Sequence, residues 1–317
     1  MKRIQMLRIF FREISALWEK PYLKISMVPL LFGIAIVSGR VIAMEIPPFT
    51  AAFLRFSFAA VSLILIVVKR NGRIPLPELR QLVVLLMVSI TGVVLFNYCL
   101  FSGLKTITAS RAAVILALIP TVVTLFSVIL FKEQASFLLI FGVIFAFAGA
   151  VIVITGGRAA QIVKQGINSG DLFILGGVLC WATYTLLGKA AMKDVSALLA
   201  ITYSCIFGAL LLFIPAYLET RFLSLFDYSL KAWLNLLNMG VVGVAFAHVL
   251  YYEGVKDLGN SKAAIFINLE SVSAIFFGVI FLGEEITLPF AIGTLLVLIG
   301  VFLTSRSGGD NRLVNSP

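Results

Sequence analysis

The chain has 317 residues, 61% of them hydrophobic and only 13% charged, with a mean hydropathy of +1.08. That charge is about half of what a soluble domain uses to cover its surface, so a soluble single-core protein is excluded and the apolar excess belongs in lipid. The formal net charge of +10 does not point to nucleic acid, because the basic residues flank apolar runs instead of forming a patch; retention of Lys and Arg on the cytoplasmic side accounts for it.

Residues 1–24 carry Lys2, Arg3, Arg8, Arg12, Lys20 and Lys24, with Ile4, Leu7, Phe11, Ile14 and Trp18 at helical spacing. This is the pattern of an amphipathic segment lying at the cytoplasmic membrane surface. No short apolar core followed by small residues marks a cleaved signal peptide.

A bilayer core takes about 20 helical residues per crossing. Apolar runs of that size follow at 27–44, 50–68, 82–100, 112–131 and 137–155, and again at 172–188, 196–217, 233–252, 263–282 and 288–304. The polar stretch 156–170, with Arg158 and Lys164, separates the two sets. The expected organisation is therefore a first five-helix unit over 25–155, a linker over 156–170, a second unit over 171–304 and a cytoplasmic tail over 305–317. Most Lys and Arg fall on one side when the N-terminal segment is cytoplasmic, which puts both ends of the chain there. Cys99, Cys180 and Cys205 lie inside apolar runs without paired spacing and read as small packing residues. No metal or cofactor is expected.

The two units are related. A gapless shift of 151 lays residues 103–153 on 254–304 and matches Gly103, Lys105, Ser110 and Leu118 with Gly254, Lys256, Ser261 and Leu269. Glu133, Gly142 and Gly149 match Glu284, Gly293 and Gly300. Five crossings per unit is an odd number, so the second copy enters the membrane from the opposite side. The fold class expected is all-α integral membrane, ten transmembrane helices in two inverted five-helix repeats, an arrangement that suits two oppositely open states around one midplane site.

Glu270 lies near the middle of the ninth run, where a carboxylate is costly unless it faces water, a cation or a proton. It reads either as a cavity residue, for a substrate amine or a coupling proton, or as a helix-packing acid. Asn97 and His248 are equivalent under the shift; the single histidine reads as a proton relay or as an interhelical hydrogen-bonder. Asn268 reads as packing. Trp181 and Tyr184 could line a cavity, whereas Tyr251 and Tyr252 fit an interfacial belt better. Pro120 frees the carbonyl of Leu116. Arg40 and Arg55, toward the outer ends of their runs, are explained by snorkelling to headgroups, with a contact at an outer gate as the alternative. The candidate substrate-binding set is Glu270, Trp181, Tyr184, Asn97 and His248.

The run Gly103-Leu104-Lys105-Thr106-Ile107-Thr108-Ala109-Ser110-Arg111-Ala112-Ala113, with Pro120 and Phe131-Lys132-Glu133, resembles the fourth-span pattern of EamA-type drug/metabolite transporters. Leu269-Glu270-Ser271-Val272 with Leu282-Gly283-Glu284 resembles the ninth, Cys180-Trp181-Ala182-Thr183-Tyr184 the sixth, and Leu54-Arg55-Phe56 the second. Ser271 departs from the family, which often has proline there, so no kink is expected in span nine. The resemblance implies a multi-pass protein, in keeping with a bacterial cytoplasmic membrane, that carries amino acids, their derivatives or other small metabolites, often outward. Its partners would be a small-molecule substrate, membrane lipid and, as coupling ion, a proton. A flippase for a lipid or lipid-linked sugar is the alternative. An enzyme is disfavoured, since the spans hold no nucleophile–base set or metal cluster, and a channel by the lack of rings of like charge.

Overall fold

Each long apolar run forms a helix in the structure, a computed structural model that describes residues 21–131, 136–157, 168–191, 195–223, 225–258, 266–267 and 269–313. Most of the expected N-terminal surface segment, much of the linker, Glu133 and Asn268 lie outside the described residues. In chain order the helices are α1 (Pro21–Ala43), α2 (Pro48–Asn71), α3 (Leu79–Leu104), α4 (Ala109–Leu116 and Ile119–Phe131) and α5 (Phe137–Thr155). The second set is α6 (Ser169–Ala191), α7 (Ala197–Thr220), α8 (Leu230–Leu258), α9 (Glu270–Leu282) and α10 (Leu288–Leu313). Among the described residues nine of these are long and apolar enough to cross a membrane, and α9 is a shorter apolar helix.

Local chemistry sets the ends. Pro48 opens α2 in the first turn, where its missing N–H costs nothing. Thr108, Ser136, Ser196 and Ser229 each accept from the backbone N–H three residues on and cap α4, α5, α7 and α8. Large apolar side chains such as Leu65, Leu130, Leu210, Phe276 and Leu295 stay exposed on the outside of the bundle, as a lipid-facing surface requires. The buried core runs through both halves and includes Ile42, Leu63, Phe101, Leu104, Ile174, Leu212 and Leu236.

The repeat is written into the irregularities. In α3 the helix widens to π-helical winding over Ile90–Leu95, and in α8 over Asn238–Phe246; the shift of 151 carries the first segment into the second. In α4 the winding tightens at Leu118, whose N–H donates to Ile115 O at 3.0 Å, and in α9 the same happens at Leu269, which donates to Phe266 O at 3.0 Å. The unkinked ninth span expected from Ser271 is therefore corrected. Pro120 deprives Leu116 O of its partner in α4, whereas in α9 the Ser271 hydroxyl reaches across and donates to Ala113 O of α4 at 3.0 Å. A break without proline is held by a contact between the two broken helices.

The last helices of the two halves, α5 and α10, meet through the glycines that the repeat aligns. A Cβ on Gly149 would lie 2.5 Å from Gly293 O, and one on Gly293 would lie 2.7 Å from Gly149 O. The Gly142 and Gly300 contact repeats this, at 2.9 and 2.6 Å in the two directions. Only glycine permits backbones that close, which is how helices associate where burial from water supplies no drive.

Candidate functional site

The centre of the bundle gathers polar side chains from both halves. On α2, Arg55 turns inward, and its guanidinium Nη1 donates to Asn97 Oδ1 on α3 at 2.6 Å. The amide nitrogen of Asn97 donates to Val93 O at 2.8 Å and more weakly to Gly92 O at 3.4 Å. Those carbonyls belong to the π-helical segment, where the wider winding disturbs the regular backbone ladder. Asn97 is thus fixed by its own helix and holds Arg55 in turn. The snorkelling read for Arg55 is corrected; the cation lies deep in the protein, and its Nε is buried without a hydrogen-bond partner. Arg40 does not snorkel either, but donates to Leu104 O at the end of α3.

From α6, Trp181 packs between Phe96 and Tyr184, with ring centroids 4.6 and 4.8 Å away. The Tyr184 ring rests on Gly92, where a Cβ would fall 2.1 Å from its Cδ2. From α8, His248 sets Nδ1 2.7 Å from Val244 O, packs edge-on to Phe32 at 5.1 Å and neighbours the Tyr252 ring at 6.3 Å. Tyr252 therefore belongs to the interior, not to an interfacial belt. Cys205 of α7 is fully buried.

Glu270 opens α9 just after the break, where the helix N-terminus favours a negative charge. Its carboxylate has no hydrogen bond among the described residues. It lies within electrostatic range of Arg55, yet the two form no direct ion pair. Arg55, Trp181, Tyr184, His248, Tyr252 and Glu270 are all only half-buried although they sit inside the bundle.

Of the five residues singled out from the sequence, Trp181 and Tyr184 pack together and Asn97 bonds Arg55, while His248 and Glu270 have no hydrogen bond or ring contact with any of the five among the described residues. Sequence reasoning placed Arg55 and Tyr252 at the membrane surface, whereas both have partners inside the bundle; a charge inside the 50–68 run was the signal available for Arg55.

The two ends of the bundle differ. At the Lys24 end a cavity of about 410 Å³ is lined by Lys24, Arg70, Leu198, Tyr252, Glu253 and Lys256 among others. Across its mouth Glu253 bridges Lys24 at 3.1 Å and Arg70 at 2.7 Å. At the opposite end carboxylates cap helices of the other half. Glu284 accepts from Ala109 N at 2.6 Å and Ser110 N at 2.8 Å, at the start of α4. Glu219 accepts from Thr50 N at 2.8 Å and Thr50 Oγ1 at 2.9 Å, at the start of α2. Glu45 accepts from Ser229 N and, at 2.7 Å, from Ser229 Oγ, at the start of α8. Arg111 grips buried Asp171 with two bonds of 2.7 and 2.5 Å. Charge-assisted bonds to helix N-termini are among the stronger polar contacts, and three of them, with the Arg111–Asp171 ion pair, tie the halves together at this end.

Ten apolar helices in two opposed halves around a centre that holds polar side chains make a multi-pass membrane transporter. The profile of the EamA-like transporter family matches twice, over residues 20–155 and 168–306, once for each half, and the chain belongs to that family. It is 29% identical over 283 residues to the uncharacterized transporter YyaM of Bacillus subtilis, covering 87% of this chain and 92% of the relative. It is 27% identical to the uncharacterized transporter YetK of the same organism, covering 89% and 86%. To the uncharacterized inner membrane transporter YicL of Salmonella typhimurium it is 25% identical, covering 90% and 95%. A solved crystal structure shares the fold with a TM-score of 0.59 at 19% identity, over 92% of this chain and 98% of the other.

Proposed function

We propose that the chain is a secondary transporter that exports small polar metabolites, amino acids or their derivatives, by alternating access around the central cavity. Its setting is a bacterial cytoplasmic membrane, with Lys24 and Arg306 on the cytoplasmic side. The observation that carries this reading is the Glu270 carboxylate, which lies deep between the halves without a hydrogen bond among the described residues. On insertion scales a charge at that depth costs about 3 kcal/mol. A group held there without a fixed protein partner is suited to one that comes and goes, a substrate amine or a proton exchanged for it.

The ends of the bundle support the same reading. Lys24, Lys69, Arg70, Arg73, Arg80 and Lys256 cluster on the open end, which the positive-inside rule makes cytoplasmic. A cavity open to the cytoplasm and latched outside is a state ready to load solute for export. Trp181, Tyr184 and His248 would then wall the bound solute, and Asn97 would set the Arg55 side of it.

The test is movement of a labelled metabolite panel in reconstituted vesicles, with and without a pH gradient. Glu270→Gln should keep the monodisperse, inserted protein while lowering transport about tenfold or displacing its pH dependence. Wild-type rates for Glu270→Gln at every pH would make the residue a packing acid and end this reading of the site.

A further inference from the structure

We infer that the bodies that move against each other are not the two sequence halves but two mixed bundles. One is α1 with α8 and α9, the other α6 with α3 and α4, and the α2–α7 and α5–α10 pairs join them. This rests on the alternating-access reading and states which surfaces part in it.

The packing divides the chain this way. α1 lies mainly on α8 and α9 of the other half and hardly touches α2, its neighbour in sequence. Gly254 leaves room for Ile25, whose Cδ1 would be 2.5 Å from a Cβ there, and a Cβ on Gly33 of α1 would lie 2.7 Å from Ala274 N of α9. Asn238 Nδ2 donates to Ser38 Oγ at 2.9 Å, and Glu253 holds Lys24 at 3.1 Å. α6 repeats the pattern on α3 and α4. A Cβ on Gly103 would lie 2.6 Å from Ile174, one on Gly92 2.1 Å from the Tyr184 ring, and Arg111 grips Asp171. The Gly254–Ile25 and Gly103–Ile174 contacts are two copies of one contact, the glycines 151 apart and the isoleucines 149. Faces that interlock through glycine move as one, because close-packed groups cannot slide without losing their contacts.

The bodies meet each other differently, through side-chain bonds to backbone. Arg40 of α1 donates to Leu104 O of α3, Glu284 after α9 accepts from Ala109 N and Ser110 N of α4, and the Ser271 hydroxyl donates to Ala113 O. These bonds lie at the closed end or beside the helix breaks, and each can be exchanged without repacking a helix face. Of the ties between the sequence halves at the closed end, Glu45–Ser229 falls inside the α1 body and Arg111–Asp171 inside the α6 body. Those two hold through the cycle, whereas the Glu284 bond breaks. The α2–α7 and α5–α10 pairs each join a helix to its own repeat copy and serve as the hinges.

The experiment uses the full-length protein in proteoliposomes, with native cysteines other than Cys99 replaced by alanine, and three cysteine pairs that all span the sequence halves. Ile25→Cys/Gly254→Cys lies within the α1 body, with 3.2 Å between Ile25 Cβ and a Cβ on Gly254. Gly177→Cys with native Cys99 lies within the α6 body, at 3.6 Å between the Cβ positions. Ser110→Cys/Gly278→Cys joins the bodies; a Cβ on Gly278 falls 2.7 Å from Ser110 Oγ, and the disulfide takes the place of the Glu284 bond. All three are within reach of a disulfide. After oxidation with copper–phenanthroline the first two should leave metabolite counterflow within about twofold of the reduced form, and the third should lower it at least about tenfold, reversibly. A block by either of the first two, or free transport through the third once mass spectrometry confirms its bond, would overturn the inference while the transport reading stands. A reduced parent that moves no compound ends the transport reading. The bodies are then read from spin-label distances, as they are if a pair does not cross-link. Tyr22 and Val83 share a sequence half but not a body, and in Glu284→Gln their distance should split into two populations. Tyr22 and Lys256, in one body but different halves, should keep a single distance. The converse, or a single distance for both pairs, overturns the inference.

Discussion

Asn97 and His248, 151 residues apart, make the same bond. Asn97 Nδ2 donates to Val93 O at 2.8 Å, and His248 Nδ1 lies 2.7 Å from Val244 O. Each follows a π-helical segment and turns back onto the carbonyl four residues earlier, so two chemically different side chains answer one backbone need. The same register recurs at the breaks, where Val122 N bonds to Leu118 O and Ser273 N to Leu269 O, both at 2.9 Å.

That equivalence separates the two readings of the histidine. His248→Asn places the first-half residue in the second half and should keep the bond to Val244 O, with stability within about 0.5 kcal/mol of wild type. His248→Leu removes it and should cost about 1 kcal/mol, read as a lower midpoint of thermal unfolding in detergent. If His248 relays protons, His248→Asn abolishes the response of transport to a pH gradient; an unaltered response makes it a hydrogen-bonder only.

The closed end should open when its latches are weakened. Glu284 and Glu219 hold the N-termini of α4 and α2 as carboxylates. Glutamine keeps the size but loses the charge, at about 1.5 kcal/mol per site, or roughly a tenfold shift in population. Buried Cys205 reports the change. A membrane-impermeant thiol reagent applied to the Glu284 side should label it several-fold faster in Glu284→Gln/Glu219→Gln than in wild type. Equal rates would mean that these bonds cap helices without controlling access.

Gly92 and Tyr184 should be coupled. Gly92→Ala puts a methyl into the Tyr184 ring, where the nearest ring carbon is 2.1 Å from the new Cβ, and overpacking of this kind costs about 1–3 kcal/mol. Tyr184→Ala in the same chain frees the space, so a double-mutant cycle of unfolding midpoints should show recovery well beyond additivity. Additive losses would place the ring elsewhere.

Topology is checked by reporter fusions. A fusion after Gly157 should lie on the side opposite Lys24, and one after Ser307 on the same side. Both fusions opposite to Lys24 would contradict ten crossings.

Much of this was legible in the sequence because membrane burial leaves a coarse signal: apolar runs of crossing length, glycines at one offset, and a carboxylate where none is tolerated idly. What escaped was direction. Arg55 sits two turns from Pro48, near enough to the helix end for snorkelling, and nothing in the composition of α2 tells an outward turn from an inward one. The break in α9 was missed since proline was its expected cause, while the actual support, Ser271 on Ala113 O, comes from another helix. Glu45 and Glu219 look like ordinary loop and helix-end acids; only the packing of one half on the other brings them to helix N-termini.

The glycine contact between α5 and α10 has a bearing on how the two halves exchange roles. The internal symmetry turns the Gly149–Gly293 contact into the Gly300–Gly142 contact, so the seam maps onto itself. Whatever conformation one half gives up and the other takes on, this pair of helices has no preferred direction in which to yield. It is a neutral seam: methyls added together at a symmetry-related pair, Gly149 with Gly300 or Gly142 with Gly293, load both states alike, lowering how long the protein lasts without tilting which way it faces. Bias toward one side must then come from features that the symmetry does not return to themselves, and Glu270, whose counterpart is Ile119, is one.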